Sequence, residues 1–162
     1  ATDERKQRDR ENLKAAFQKP TGELNLSCWE APLNSKVVSK FASPRRLPDG
    51  RRYYHSGLDL RAATGVPIPS TGPGEVFLAE HMLVPGNTVL VSHGGGLYSR
   101  YMHLSKINVS VGETLKKGQI LGLAGATGRV EGSHLHWEVS WKGNHVSPQQ
   151  FLLAWEQICD PA

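Results

Sequence analysis

Gly132-Ser133-His134-Leu135-His136-Trp137-Glu138-Val139-Ser140-Trp141 alternates two kinds of residue. His134, His136, Glu138 and Ser140 fall on one face at a period of two, and Leu135, Trp137, Val139 and Trp141 on the other. This is the pattern of a half-buried β-strand, one face feeding a core and the other presenting two imidazoles side by side. A polar face this rich in histidine calls for a chemical reason.

Working outward from that strand, short strands are expected over 74–79, 87–93, 97–103, 107–111 and 119–124, separated by glycine-rich turns. Such spacing leaves no room for crossover helices, so the fold class expected is mainly β with an antiparallel sheet. Further upstream, Lys36-Val37-Val38-Ser39-Lys40-Phe41 reads as a first strand, and 44–54 as a loop turning at Pro48-Asp49-Gly50. Arg45, Arg46, Arg51 and Arg52 flank that turn, as a solvated cluster or as contacts to an anionic substrate. Ser147-Pro148 caps a short C-terminal helix whose apolar face is Phe151, Leu152, Trp155 and Ile158. At the other end, 3–16 lack Gly and Pro, mix both charge signs and place Glu4 four residues before Arg8. A solvated helix and a frayed terminus both fit. Residues 1–23 are accordingly expected to be an N-terminal helical arm or linker, and 24–162 the folded domain.

A chain of 162 residues with 38% hydrophobic content suffices for one domain with a proper core. No apolar run is long enough to cross a bilayer, and no cleavable signal peptide begins at Ala1. The net charge of +4 and pI near 9.2 suit an acidic partner such as nucleic acid, anionic lipid or bacterial cell wall, or simply a solubilising surface. Nucleic acid is disfavoured because the basic residues are not interleaved with aromatics along a recognisable module. Cys28 and Cys159 lie near opposite ends, without C-x-x-C spacing. Paired, they would close a loop worth roughly 4–5 kcal/mol in the chain-entropy model and would require an oxidising compartment; two buried thiols are the alternative.

Three pieces can carry chemistry: His55-Ser56-Gly57-Leu58-Asp59, Tyr101-Met102-His103-Leu104 and His134-Leu135-His136. A zinc hydrolase needs three protein ligands and an open fourth position, and imidazole and carboxylate are suitable donors. In a straight strand His55 and Asp59 would lie about 13 Å apart, so the chain must bend between them, and Gly57 tolerates the backbone angles that would require. Of His134 and His136 only one need bind metal. The other, with His103, would flank the open position and handle protons or developing negative charge. At a period of two Tyr101 shares a face with His103, which would aim its hydroxyl into the same site. Glu138 either orients a neighbouring histidine or faces solvent. His81 and His145 are expected on the surface, and His93, at a strand end before Gly94-Gly95-Gly96, in a structural role.

These residues resemble the lysostaphin-like and LytM-like zinc metalloendopeptidases, which cut peptide bridges in bacterial peptidoglycan. The family pattern H-x-G-x-D matches His55, Gly57 and Asp59; Y-x-H-L matches Tyr101, His103 and Leu104; H-L-H-[FW]-E matches 134–138; and 111–122 is similar to the family's glycine turn. Ser133 stands where proline is usual, and Pro85 where an aromatic residue or glycine is common. The resemblance implies the family's β fold, one zinc ion held by His55, Asp59 and His136, and His103 and His134 as the catalytic pair. It also implies a monomeric hydrolase of peptidoglycan in the bacterial envelope, periplasmic or secreted, with Arg45, Arg46, Arg51, Arg52 and Tyr101 as candidate substrate contacts. The bond expected to be cut is a D-alanyl crosslink, with glycine bridges as the alternative. A non-catalytic activator of an amidase and a sugar-transport phosphocarrier domain are the rival readings; all five metal and catalytic residues argue against the first, and Asp59 beside a histidine against the second.

Overall fold

The alternating stretch 134–141 becomes the central strand of an antiparallel sheet. The computed structural model describes residues 2–161. Along the chain, α1 (Thr2–Gln18) precedes β1 (Val37–Ser39), β2 (Pro44–Arg46), β3 (Arg52–Tyr54), β4 (Leu58–Arg61) and β5 (Pro67–Pro69). Then come β6 (Gly74–Met82), β7 (Gly86–Ser92), β8 (Leu97–Leu104), β9 (Lys106–Ile107), β10 (Thr114–Leu115) and β11 (Ile120–Leu123). The chain ends with β12 (His134–Trp141), β13 (Asn144–Val146) and α2 (Pro148–Glu156). The main sheet runs β1-β4-β12-β8-β7-β6-β10, with β13 added on β12; β5-β11-β9 form a small second sheet, and β2-β3 a hairpin.

The architecture is the mainly β, antiparallel one expected, with several differences in detail. The segment 44–54 is a hairpin rather than a loop, its turn falling on Pro48-Asp49-Gly50. Its strands carry no apolar alternation, which is why the sequence does not announce them. β4 hides inside the H-x-G-x-D motif, and 107–111 contributes only Lys106–Ile107.

One face of the main sheet packs on the small sheet. Leu58, Leu60, Leu135, Trp137 and Val139 meet Ile68 and Leu121 there, all at most 3% exposed. Trp29, Phe151 and Trp155 extend this core, with Trp29 ring centroids 4.7 Å and 6.4 Å from the other two. α2 is capped by Ser147 Oγ, which accepts from Gln150 N. Ile158 lies past its end and is 69% exposed, not on the packed face. Cys28 and Cys159 form a disulfide, the bridge expected if they pair, with Cα atoms 4.9 Å apart.

The opposite face is shared between α1 and the histidines. α1 is not merely solvated: Leu13, Ala16 and Phe17 pack on Phe77, Leu78, Met82, Leu90 and Tyr98. Asp9 Oδ2 accepts from Leu83 N at 2.8 Å, and Asn12 Nδ2 donates to Glu80 Oε2. This anchoring set occupies one i, i+3, i+4 stripe near the C-terminal end of the helix, too short to stand out among the surrounding charges. No helix among the described residues is long and apolar enough to cross a membrane.

Candidate metal centre

The β4–β12 register decides what meets on this face. Asp59 stands opposite His136, and Arg61 opposite His134. Across the other edge of β12, His136 pairs with Met102 of β8. His55 arrives from the segment linking β3 to β4. The bend between His55 and Asp59 does use Gly57, but for space rather than for an unusual backbone angle, since its φ is not positive. A Cβ there would lie 2.6 Å from Trp137 O and 2.8 Å from His136 Nε2.

His55 Nε2, Asp59 Oδ1 and His136 Nδ1 form a triangle with sides of 3.2, 3.2 and 2.8 Å. Donors about 2.0–2.2 Å from one tetrahedral ion stand roughly 3.3 Å apart, so the triangle fits a single metal ion. The outer nitrogens are engaged in a way that leaves these atoms free. His55 Nδ1 donates to Lys40 O at 2.8 Å, and His136 Nε2 donates to Glu138 Oε2 at 2.9 Å. Such partners fix ring orientation and tautomer at metal sites.

Glu138 is buried, not solvated. Its carboxylate accepts from His136 Nε2, from Ser56 Oγ at 2.6 Å and from Arg100 Nη1 at 3.4 Å. Burial pushes its pKa up, but the charge of Arg100 and the hydrogen bond from His136 overcome this and hold it well below the usual carboxylate range. For Asp59, burial, which raises the pKa, is likewise outweighed by the close contacts of its carboxylate with His136 and His55, and its pKa is lowered. Burial alone would lower that of His136, yet Asp59 and Glu138 raise it to about 9. Two carboxylates, Asp59 and Glu138, thus flank the ring of His136 on its two nitrogens.

His103 and His134 complete the face, with ring centroids 5.0 Å apart. His103 Nδ1 donates to Thr127 O and His134 Nδ1 to Gly132 O, which leaves both Nε2 atoms as acceptors. Burial lowers the pKa of His103 to about 4. His103 reaches the cleft through an irregularity: between the pairs Asn87–Leu104 and Val89–Tyr101, β8 carries one residue more than β7, and His103 takes the left-handed φ of 62°.

That bulge overturns the placement of Tyr101. The tyrosine points to the opposite side of the sheet, fully buried, its hydroxyl accepting from Thr71 N and bonded to Ser99 Oγ. It is a core residue, and Met102 lines the cleft beside His103 instead. Of the four arginines, only Arg45 reaches the site: it donates to Ser39 Oγ and stands 3.9 Å from Asp59 Oδ2. Arg46, Arg51 and Arg52 are exposed on the hairpin and line no part of the cleft; Arg51 pairs with Asp49. His145 lies at the site after all, with Nδ1 3.7 Å from Glu138 Oε1. His81 is exposed, and His93 is structural, bonded to Pro73 O and Ser99 Oγ and packed at a tilt against Trp29, with ring centroids 4.4 Å apart.

Sequence reasoning missed Ser56 and Arg100. A signal for the first was its place inside H-x-G-x-D, and for the second an arginine within a strand that is buried throughout. The centre opens into a cleft of about 720 Å³, rimmed by Tyr53, Tyr54, Arg45 and Arg129.

Comparison with known proteins places this arrangement. The chain is 37% identical over 134 residues to the peptidoglycan DD-endopeptidase ShyA of Vibrio cholerae, covering 81% of this chain and 31% of that protein. It spans between 25% and 31% of the curated relatives ShyA, ShyB and ShyC. A zinc-containing peptidase from Vibrio cholerae superposes with a TM-score of 0.67 at 35% identity, over 78% of this chain and 39% of that one. The catalytic domain of lysostaphin from Staphylococcus simulans does so with 0.66 at 30%, over 74% and 93%. The pattern of Peptidase family M23 matches residues 53–148, more than half of the sequence, and the chain belongs to that family of metallopeptidases.

Proposed function

We propose that this domain is a zinc-dependent endopeptidase that hydrolyses peptide crosslinks of bacterial peptidoglycan, cutting D-alanyl–diaminopimelate bridges in the cell envelope. The observation that carries this reading is the triangle of His55 Nε2, Asp59 Oδ1 and His136 Nδ1, with the free Nε2 atoms of His103 and His134 beside it. Two imidazoles and one carboxylate with an open position are the donor set of catalytic zinc. Similarity to a relative named as a DD-endopeptidase supports the substrate, and the Cys28–Cys159 disulfide supports an oxidising compartment such as the periplasm.

When bound, zinc supplies Lewis acidity toward the scissile carbonyl and acidifies a water. The chain's own groups do the rest. His103, kept neutral by burial, accepts the proton of the attacking water on Nε2 and passes it to the leaving amine. His134 stands on the other side of the opening, with Nε2 3.6 Å from Asp59 Oδ1, and donates to the developing oxyanion once that nitrogen holds a proton. Glu138, Ser56 and Arg100 keep the ring of His136 fixed.

The test separates two classes of variant. His55→Ala, Asp59→Ala and His136→Ala are expected to lose both bound zinc and digestion of crosslinked muropeptides. His103→Ala and His134→Ala are expected to keep zinc and lose activity by about 10²–10⁴-fold. Full zinc occupancy with unchanged turnover in the first set would sink the proposal.

A further inference from the structure

Beyond the metal centre, the cleft continues into a second basin of about 510 Å³, reached past Asp59 and His134 and walled by Ser39, Arg45, Arg61 and Gly132. Its position follows from strand register. Arg61 lies two residues after Asp59 on β4, so it emerges on the same face about 7 Å further along. It pairs directly with His134, which puts the two Cβ atoms within roughly 5 Å. The arginine thus stands beside the histidine assigned to the oxyanion, on the side away from His136.

Charge in this basin is unbalanced. Arg61 is exposed, and its guanidinium has no carboxylate or hydrogen-bond acceptor among the described residues. Asp59 is the only acidic side chain in the lining, and its oxygens already face His55, His136 and Arg45. Ser133 Oγ is also engaged, donating to Ala62 O. An anion entering the basin would meet Arg61 with its hydrogen-bond donors free, and Arg45, which also lines it.

We infer that Arg61, assisted by Arg45, is a specificity-determining residue that binds a free carboxylate on the substrate next to the scissile amide. This deepens the proposed function and rests on it. In a D-alanyl–diaminopimelate crosslink the carbon bearing the leaving amine carries such a carboxylate, whereas a glycine bridge offers none. The basin therefore selects crosslinks formed through an amino acid with a free carboxylate at that carbon. A guanidinium suits the role because it presents donors in the fork that matches a carboxylate.

The experiment compares two dimeric muropeptides that differ only in that group, one with the carboxylate and one with it converted to carboxamide, using the zinc-loaded protein. The wild type is expected to cleave the carboxylate form with a kcat/KM about tenfold or more above the amidated one. Arg61→Ala should lower kcat/KM on the carboxylate form by a similar factor, mainly through KM, lower that on the amidated form several-fold less, and keep zinc content and unfolding temperature. Arg61→Lys should restore part of the preference. Equal cleavage of both dimers by the wild type, or an Arg61→Ala variant that loses activity on both alike, overturns the inference while leaving the peptidase reading intact. Failure of the zinc-loaded wild type to cut either dimer overturns the peptidase reading, and the inference falls with it.

Discussion

Replacing Gly57 with alanine tests whether the metal triangle depends on the close approach of two chain segments. The added Cβ would stand 2.6 Å from Trp137 O, 2.8 Å from His136 Nε2 and 2.9 Å from Glu138 Cγ, where ordinary contact begins near 3.4 Å. β12 cannot give way, because it is paired on both sides, to β4 and to β8. The 55–57 segment must therefore back out by about 0.8 Å, the difference between 2.6 and 3.4 Å. His55 is two residues away and moves with it, while Asp59 and His136 stay on their strands. Overpacking of this kind costs about 1–3 kcal/mol. For a domain of this size that lowers the unfolding temperature by roughly 2–12 °C. Metal sites tolerate ligand displacements of only about 0.2 Å, so metal affinity should fall by at least ~10- to 100-fold. Calorimetry of the metal-free protein reads the first effect, and competition with a chelator the second. Gly22→Ala is the control, since a Cβ there meets nothing within 4 Å. Wild-type unfolding temperature and metal affinity in Gly57→Ala would refute the reasoning.

Two further outcomes follow from other parts of the fold. Burial lowers the pKa of His93 to about 4 from its ordinary 6.5, so the unfolded chain binds the proton first; stability is fully present above pH 6.5 and falls as pH drops toward 4, by at most about 3 kcal/mol from this residue. Urea unfolding of the metal-free protein at pH 7, 6 and 5 measures it, and a flat profile contradicts it; His103 contributes with the same sign. Reduction of the Cys28–Cys159 bridge should cost about 2–5 kcal/mol of stability without altering zinc content at temperatures where the chain remains folded, and identical unfolding midpoints with and without reductant would count against that.

How much of this was legible in the sequence depends on where alternation survives. From His134 to Trp141 it survives completely, and the strand, its two faces and its shared histidine side could be read directly. At Tyr101-Met102-His103 it does not. One extra residue in β8 and a left-handed backbone angle reverse the phase, so the tyrosine that seemed to face the site is buried in the core. No side-chain pattern signals a bulge, because its cause lies in pairing with a distant strand. Arg61 and Ser56 were hidden differently: their roles arise from the strand register opposite β12 and from the approach of Ser56 to Glu138. Glu138 itself was visible, but only three-dimensional packing distinguishes a buried, triply bonded carboxylate from a solvated one. The burial of α1 was obscured because three apolar contacts sit among many charges.

The bulge in β8 also separates two properties that a regular strand would tie together. Neighbouring residues normally part to opposite sides, yet Met102 and His103 both line the same cleft. Exchanging Met102 for a larger or smaller apolar side chain would change the width of the groove beside His103 through volume alone, with the backbone pairing that aims the imidazole left in place. The fold thereby offers an adjustable gauge for the width of the cleft, independent of the backbone that positions His103.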